Sequence, residues 1–302
     1  MQPAQPSRAQ GPAASGMEAL LREVLRRRAA PQAWAWLEKA LEAASGAVHA
    51  NTLLGYYAGA SRRMGKVALA LDGAEQTRAR ELDPLLALGR WGADEAARAL
   101  LLLTLSHSVA GEPYGELVQQ CYELGDSREQ ESWLRALSLL PAPERFLAAA
   151  VDACRTNILP LFEAIACENP YPLRCFPELN FNQMVLKCLF NGIALARIVG
   201  LEERVNAELS RMADDYAAER EAAGRPVPAD IWLALAPRAT PARLERVYRY
   251  LNEGSPEHRR WAAQGLAQAG GDRSRQALAA RRQVEQESQV REAIDSALAR
   301  MR

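Results

Sequence analysis

The sequence predicts an all-α protein, and three observations support this fold class. Apolar residues recur at three- and four-residue intervals almost throughout the chain, which is the helical period. Ala and Leu are abundant, whereas Val and Ile, which favour strands, are sparse. The Asp72-Gly73 pair lies between two helical patterns, so it does not indicate a hairpin between alternating runs. We therefore expect essentially no β-strand.

Glycines and prolines divide the chain into helices of ordinary length. In chain order, we predict helices near residues 17–29, 32–45, 47–63, 74–90, 93–108, 113–124, 127–140, 143–167, 178–195, 201–223, 228–236, 241–252, 256–269, 272–284 and 287–301. The apolar run Leu100-Leu-Leu-Leu-Thr-Leu105 is too short to cross a membrane, so it indicates a buried helix.

The start of the chain differs in composition from the rest. Residues 1–16 are rich in Gln, Pro, Ala, Ser and Gly and have no apolar core, which predicts a disordered tail and no secretory signal. Residues 17–302 are predicted to form a single all-α domain. Since no run of eighteen apolar residues occurs, we expect no transmembrane segment and a cytoplasmic location.

The last quarter of the chain contains a weak internal repeat. The segment Arg259–Ala267 aligns with Arg291–Ala299, one helical hairpin further along. Stacked hairpins of this length are typical of α-solenoids. We therefore expect an irregular α-solenoid-like stack, with HEAT-like character over 241–302. An irregular helical bundle is the alternative.

Charge and metal-ligand content narrow the function classes. Lys plus Arg and Asp plus Glu both number 37, so the formal net charge is zero, which argues against nucleic acid as the partner. The five cysteines form no CxxC pair, and none of the three histidines is near another. We therefore expect no metal and no cofactor.

The central segment is the most unusual part of the sequence, because Pro170, Pro172 and Pro177 fall within a few residues. On a continuous helix over 143–167, Asp152 and Glu163 would share one face, since the intervening spacings are three and four residues. Pro160 lies inside that helix and is expected to kink it.

A loop over 169–177 would then bring further polar side chains to the start of the next helix. Two interpretations fit this corner: a polar pocket for a ligand or partner, with two acids and two bases, or a polar network that fixes an irregular helix–loop–helix joint. In the first interpretation no residue is assigned as catalytic. The candidate contacts with a ligand or partner are Asp152, Arg155, Asn157, Glu163, Tyr171, Arg174, Glu178, Asn182 and Lys187.

The same segment resembles a known protein family. The stretches Asp152-Ala-Cys-Arg-Thr-Asn157, Glu168-Asn-Pro-Tyr-Pro172 and Phe176-Pro-Glu-Leu-Asn-Phe-Asn-Gln-Met-Val-Leu-Lys187 are similar to the hallmark of the EboA family. The resemblance is sharp over about 150–190 and diffuse elsewhere. The chain departs from the family pattern at two places, with Cys175 before Phe-Pro instead of Tyr and Phe181 between two asparagines instead of Trp.

The resemblance implies an accessory protein of the bacterial ebo gene cluster, and it brings no assigned catalytic residues. Its partners would be other proteins of that cluster, which include a membrane prenyltransferase-like protein. The family is linked to the handling or export of a secondary-metabolite precursor through an isoprenoid-type molecule. We therefore expect a non-catalytic helical scaffold or binding protein with a small-molecule or lipid-linked ligand.

Two alternatives remain open for the function. One is a helical enzyme that acts on an isoprenoid-linked or phosphorylated small molecule through a polar pocket at 152–187. The other is an interaction solenoid, in which the basic side of helix 241–252 would contact a partner.

Overall fold

The computed structural model describes residues 12–46 and 49–301, and over these residues the prediction of an all-α fold is confirmed. The described ranges contain α-helices and short 3-10 helices, and their only β-type pairing is an isolated bridge between Ala68 and Gly92. Of the predicted disordered tail, residues 1–11 lie outside the described part. The first helix begins at Pro12.

The helices fall into two compact units, Met1–Phe176 and Pro177–Arg302, here called unit 1 and unit 2. The expectation of one domain over 17–302 stays a prediction.

Unit 1 is built around a helix that is buried on nearly all sides. Its α-helices are α1 (Pro12–Arg28), α2 (Pro31–Ser45), α3 (Ala50–Met64), α4 (Gly73–Leu82), α5 (Ala93–Leu105), α6 (Gly111–Glu123), α7 (Ser127–Ala136), α8 (Leu147–Ala153), α9 (Leu159–Ala166) and α10 (Tyr171–Cys175). Helix α5 packs against α1, α2, α3 and α7. Every residue from Asp94 to Leu105 is buried, which confirms the predicted buried helix.

A network of charged side chains lies inside this core, on α5. Arg98 is 1% exposed and donates hydrogen bonds to the Tyr57 carbonyl at 3.0 Å, Asp94 at 3.2 Å, Ser132 at 3.0 Å and Ser61 at 2.9 Å. We call it the Arg98 network. Burial makes a charge expensive unless its hydrogen bonds are made, so these bonds are part of what stabilises unit 1.

Asp94 is the acidic centre of the Arg98 network. A second arginine, Arg128, holds both of its carboxylate oxygens, at 3.0 and 2.9 Å, and Ser61 donates to it at 2.7 Å. Burial raises the pKa of Asp94, but the hydrogen bonds from Arg128 and Ser61 outweigh burial, so the pKa lies below its usual 3.8. Asp94 is therefore a carboxylate at neutral pH.

Unit 2 contains the remaining helices. They are α11 (Glu178–Asn191), α12 (Leu201–Arg204), α13 (Ala207–Ala222), α14 (Trp232–Leu235), α15 (Pro241–Glu253), α16 (Pro256–Ala269), α17 (Asp272–Val284) and α18 (Ser288–Arg300). Helix α16 is central and packs against α14, α15, α17 and α18. Gly265 permits the close approach to α14, because a Cβ there would lie 2.4 Å from the Trp232 carbonyl oxygen.

The two copies of the predicted internal repeat lie in α16 and α18, which pack directly against each other. Matched positions face the interior in both helices: Ala262 corresponds to Ile294, and Gly265 to Ala297, and all four are buried. The solenoid-like stacking of the whole chain stays a prediction.

The continuous helix expected over 143–167 was wrong. The structure has a 3-10 turn at Pro143–Phe146, then α8, and then α9 after a break. The Thr156 hydroxyl accepts the Ile158 N–H at 3.1 Å, which offers the backbone an alternative to the helix. Pro160 occupies the first turn of α9, where its missing N–H has no helical partner to lose, so it starts a helix instead of kinking one.

Three further predicted elements differ from the structure. The helix expected over 74–90 ends at Leu82 with α4, because Pro84 disfavours a helical backbone at Asp83, which is extended. The helix expected over 201–223 is divided into α12 and α13, because the Asn206 side chain caps α13 by accepting the Leu209 N–H at 2.8 Å. The loop expected over 169–177 contains the short helix α10.

Candidate functional site

The candidate residues of α8 and the turn after it lie at the surface of unit 1. Asp152 and Arg155 form an ion pair at 3.4 Å, with 75% and 76% of their side chains exposed. Asn157 is exposed, and Glu163 is half-buried on α9. Because the chain leaves the helix between Asp152 and Glu163, the predicted common helix face was wrong.

Tyr171 is fully buried, at the start of α10. Its hydroxyl donates to the Pro143 carbonyl at 2.8 Å, and its backbone N–H is held by the Asn169 side chain at 2.9 Å. The Asn169 amide also donates to the carbonyls of Leu134 and Ala164, at 2.9 and 2.8 Å. Burial raises the pKa of Tyr171 well above its usual value. This tyrosine therefore anchors the proline-rich turn.

Arg174 forms a two-pronged ion pair inside unit 1. Its terminal nitrogens donate to the two Asp83 oxygens at 2.8 and 2.7 Å. The Asp83 side chain is 11% exposed and that of Arg174 37%. This geometry fits a guanidinium and a carboxylate closely, so Arg174 ties α10 to the residue after α4.

The three candidates of unit 2 lie on α11. Glu178 is exposed in its first turn, and Lys187 is half-buried further along. Asn182 is 1% exposed and exchanges hydrogen bonds with Asn206, at 3.2 and 3.0 Å. Because Asn206 also caps α13, this amide pair fixes α11 against α13. Tyr171, Arg174 and Asn182 thus have structural partners, and ligand contacts at the nine positions stay predictions.

A cavity of about 510 Å³ lies in unit 2, and sequence reasoning missed it. We call it the Trp261 cavity. Its wall comes from the end of α11 and the following turn, from α13, from the segment before α14 and from the first turns of α16. The lining residues are Leu189, Phe190, Gly192, Ile193, Ala194, Tyr216, Arg220, Pro226, Val227, Pro228, Ala229, Asp230, Glu257, Arg260 and Trp261.

Two arginines in the wall of the Trp261 cavity lie over aromatic rings. The Arg260 guanidinium is 4.5 Å from the Trp261 ring centre, and that of Arg220 is 5.9 Å from the Tyr216 ring centre. The Arg220 Nε donates to the Pro226 carbonyl at 2.9 Å. Neither arginine forms an ion pair within the described ranges of the chain. The wall therefore carries positive charge that the fold does not neutralise by direct pairing.

Apolar groups and one buried acid complete the wall. The Phe190 side chain is 76% exposed, whereas Ile193 and Val227 are buried. Asp230 accepts the Leu195 N–H at 2.6 Å, and burial raises its pKa, which the backbone hydrogen bonds only partly offset. An exposed phenylalanine beside arginines makes the cavity amphipathic.

A neighbouring cavity of about 570 Å³ shares Pro226 and Val227 with the Trp261 cavity and contains His258. The Trp232 indole N–H donates to His258 Nδ1 at 3.1 Å. Because an indole can only donate, this nitrogen carries no proton, and burial lowers the pKa of His258 below its usual 6.5. His258 is therefore a neutral structural group, packed in a cluster of three rings in which Trp232, Tyr250 and His258 all contact one another.

The sequence contained only weak signals for this cavity. Arg220 belongs to a richly charged helix, which is typical of a solvated face, and Trp261 belongs to the repeat-like region. An arginine next to an aromatic residue, as in Arg260-Trp261, was the one local pattern that pointed to stacking.

Within residues 12–46 and 49–301, no group of three or more His, Cys, Asp and Glu side chains is arranged to hold a metal ion. Over the same ranges, no helix combines the length and the apolar character that crossing a membrane requires.

Comparison with known proteins identifies the family. No curated protein and no solved structure matches the chain. A family model described as "Metabolite traffic protein EboA" matches residues 17–236, well over half of the sequence. The match includes the central segment on which the resemblance rested, and it includes the part of the Trp261 cavity formed by α11, α13 and the segment before α14. The chain belongs to the EboA family of metabolite traffic proteins.

Proposed function

We propose that this protein is a non-catalytic binding protein that holds a small molecule in the Trp261 cavity during metabolite traffic. The observation that carries the proposal is the amphipathic wall of this cavity. Its volume of about 510 Å³ lies within the range of roughly 300–1,000 Å³ typical of small-molecule sites.

The proposal specifies an isoprenoid-linked precursor of a secondary metabolite as the bound molecule. A prenyl chain is apolar and flexible, and it would contact Phe190, Ile193 and Trp261 in the cavity wall. Covering the exposed Phe190 ring would remove apolar surface from water, which favours binding. Other proteins of the ebo cluster, including a membrane prenyltransferase-like protein, would deliver or receive the molecule.

The polar corner of unit 1 has a second part in the proposal, as a contact for such a partner. Asp152, Arg155 and Asn157 project from α8 and the turn after it, and Asp152 and Arg155 are three-quarters exposed. Glu163 stays part of the predicted contact in unit 1, and Glu178 and Lys187 stay separate candidates on α11 of unit 2. Co-purification with co-expressed cluster proteins tests this contact. Asp152→Arg should reduce the recovery of the partner, whereas Asp215→Arg, at an exposed position of α13, should not. Equal recovery with both variants would contradict the partner contact.

Binding in the Trp261 cavity is tested by calorimetric titration with farnesol, a neutral prenyl alcohol. Ala194 lies in the cavity wall and is exposed, so Ala194→Trp places a large ring in the cavity without disturbing the core. Ala222→Trp, at the exposed end of α13 outside this cavity, is the matched control. We expect Ala194→Trp to weaken farnesol binding about tenfold or more, which corresponds to about 1.4 kcal/mol.

The same two variants connect binding with traffic. In cells that carry Ala194→Trp, the cluster's precursor should accumulate before the transfer step, whereas the Ala222→Trp cells should resemble the parent. Absence of farnesol binding to the parent protein, or equal binding by Ala194→Trp, would overturn the proposed site.

A further inference from the structure

The geometry points to a negatively charged group on the bound molecule: we infer that Arg220 and Arg260 bind a phosphate or carboxylate attached to an apolar body. This inference rests on the proposed function, because it concerns the ligand of the same Trp261 cavity. It adds the chemical class of the ligand's polar end.

The ion pairs of unit 2 make these two arginines unusual. Most arginines on the neighbouring helices contact carboxylates directly: Arg211 meets Glu208 at 2.6 Å, and Arg259 meets Glu285 at 2.8 Å. Arg220 and Arg260 have no such partner among the described residues, although both lie in the wall of one cavity. Two cations that share a cavity wall and have no directly paired carboxylate favour an anion from outside the chain.

Arg260 has a hydrogen-bonding deficit as well. Its Nε atom is buried and has no hydrogen-bond partner among the described residues. A buried donor on a charged group is costly to leave unpaired. The contact of its guanidinium with the Trp261 ring, at 4.5 Å from the ring centre, restricts the side chain. An anionic oxygen in the cavity would contact the terminal nitrogens of Arg260 and so neutralise a guanidinium that the fold leaves without a direct counter-charge.

Arg220 is held in place for the same task. The hydrogen bond from its Nε to the Pro226 carbonyl and the contact with the Tyr216 ring restrict the side chain before any ligand binds. Its terminal nitrogens make no hydrogen bond with any described residue. A fixed guanidinium with available donors loses little freedom when it binds a phosphate or carboxylate.

Two acids also belong to the wall, and neither cancels this charge by a direct contact. Asp230 accepts a backbone N–H at 2.6 Å, so part of its hydrogen-bonding capacity serves the fold. Glu257 is exposed in the first turn of α16. Neither acid forms an ion pair with Arg220 or Arg260 within the part of the chain that the structure describes. The arginines therefore define the position of an anion.

This charge arrangement is not implied by the family match. Arg260 and Trp261 lie beyond residue 236, where the match ends. One arginine of the pair thus comes from the matched region and the other from the C-terminal helices. The preference for an anion depends on this chain's own α16.

The test compares three probes by calorimetric titration: decyl phosphate below its micelle concentration, decanol and inorganic phosphate. The variants are Arg220→Gln and Arg260→Gln, with Arg238→Gln as the exposed control. We expect the parent to bind decyl phosphate about tenfold or more tightly than decanol, because charged hydrogen bonds to a desolvated anion exceed those to an alcohol. Each cavity variant should lose this preference and keep its affinity for decanol, and Arg238→Gln should resemble the parent.

The outcomes separate this inference from the proposed function. Equal affinity for decyl phosphate and decanol in the parent, or an unchanged preference in both cavity variants, overturns the anion site while binding in the cavity stands. Failure of the parent to bind either amphiphile overturns both. Inorganic phosphate that binds as tightly as decyl phosphate would show that the apolar body plays no part, which also overturns the inference.

A sedimentation experiment identifies the source of the anion. Vesicles of phosphatidylcholine, with and without phosphatidic acid, are mixed with the parent and with Arg260→Gln. Pelleting that requires phosphatidic acid and the arginine supports a lipid headgroup. Arginine-dependent binding of decyl phosphate without pelleting supports a free metabolite.

Discussion

Replacement of Arg98 by methionine tests how much the Arg98 network contributes to stability. Methionine has a similar length and no charge, so the change removes four hydrogen bonds while most of the volume is kept. Three of the four acceptor residues, Tyr57, Asp94 and Ser132, stay buried in unit 1, and Ser61 is half-buried. Breaking a buried charged pair by removing one partner typically costs about 3–5 kcal/mol.

The structure indicates that the cost of Arg98→Met lies at the lower end of the range of about 3–5 kcal/mol. Asp94 keeps both hydrogen bonds from Arg128 and the one from Ser61, so its charge is still neutralised after the substitution. We therefore expect Arg98→Met to lower the free energy of unfolding by about 3 kcal/mol. For a unit of this size, that corresponds to a fall in melting temperature of about 6–12 °C.

Urea unfolding followed by circular dichroism at 222 nm measures this loss. The matched control is Arg78→Met, because Arg78 forms an ion pair of 2.8 Å with Glu23 at the surface, with about half of each side chain exposed. An exposed pair contributes about 0–1 kcal/mol, so the control should stay close to the parent. If Arg98→Met lost no more than Arg78→Met, the reasoning from burial would be refuted.

Two further predictions concern unit 2. Gly265→Ala should lower the free energy of unfolding by about 3 kcal/mol, because the new Cβ would lie 2.4 Å from the Trp232 carbonyl oxygen and the helices must separate. The control is Gly55→Ala in α3 of unit 1, where nothing lies within 4 Å of an added Cβ, and it should raise the free energy of unfolding by about 0.5–1 kcal/mol. Urea unfolding measures both variants. A change of the same sign in both would contradict the reasoning from the close approach at Gly265. His258 has a lowered pKa in the folded state, so its contribution to stability is present above the usual pKa of 6.5 and is lost as the pH falls below it. The free energy of unfolding should therefore drop more between pH 7.5 and pH 5 in the parent than in His258→Gln, and an equal drop in both would exclude this role for His258.

Local sequence signals were sufficient for much of the helical framework. The predicted helices at 256–269 and 272–284 coincide with α16 and α17. A proline after Ser255 and the Gly270-Gly271 pair mark their ends, and these signals act on the backbone directly. The all-α class followed from the same kind of signal, summed along the chain.

Structural features that depend on residues distant in the sequence could not be predicted from local signals. The break between α8 and α9 depends on Thr156, whose hydroxyl accepts a backbone hydrogen bond that competes with the helix. The periodicity of apolar residues gives no information about such a hydrogen bond. Arg174 is a candidate ligand contact in the sequence, and its ion-pair partner Asp83, 91 residues away along the chain, could not be predicted from local spacing. Only the fold reveals which charges are already paired.

The candidate site illustrates the same difference. The crowding of polar residues in a proline-rich segment predicts ligand contacts there, and the structure shows that two of these residues, Tyr171 and Asn182, are buried and hydrogen-bonded within the fold. Arg220 and Arg260 are 40 positions apart in the numbering and lie in one cavity wall, which no spacing rule would suggest. What distinguishes them is that they share one cavity wall while neither forms an ion pair among the described residues, a combination that depends on three-dimensional packing.

The stacking of Arg260 on Trp261 gives the cavity an optical signal of its own. Trp133 and Trp232 are fully buried and Trp91 nearly so, whereas Trp261 is partly exposed at the cavity wall. Its emission depends on the polarity of its surroundings and on access for a collisional quencher such as acrylamide. Occupancy of the cavity can thus be followed without a label, once Trp34 and Trp36, the other two partly exposed indoles, are replaced by phenylalanine.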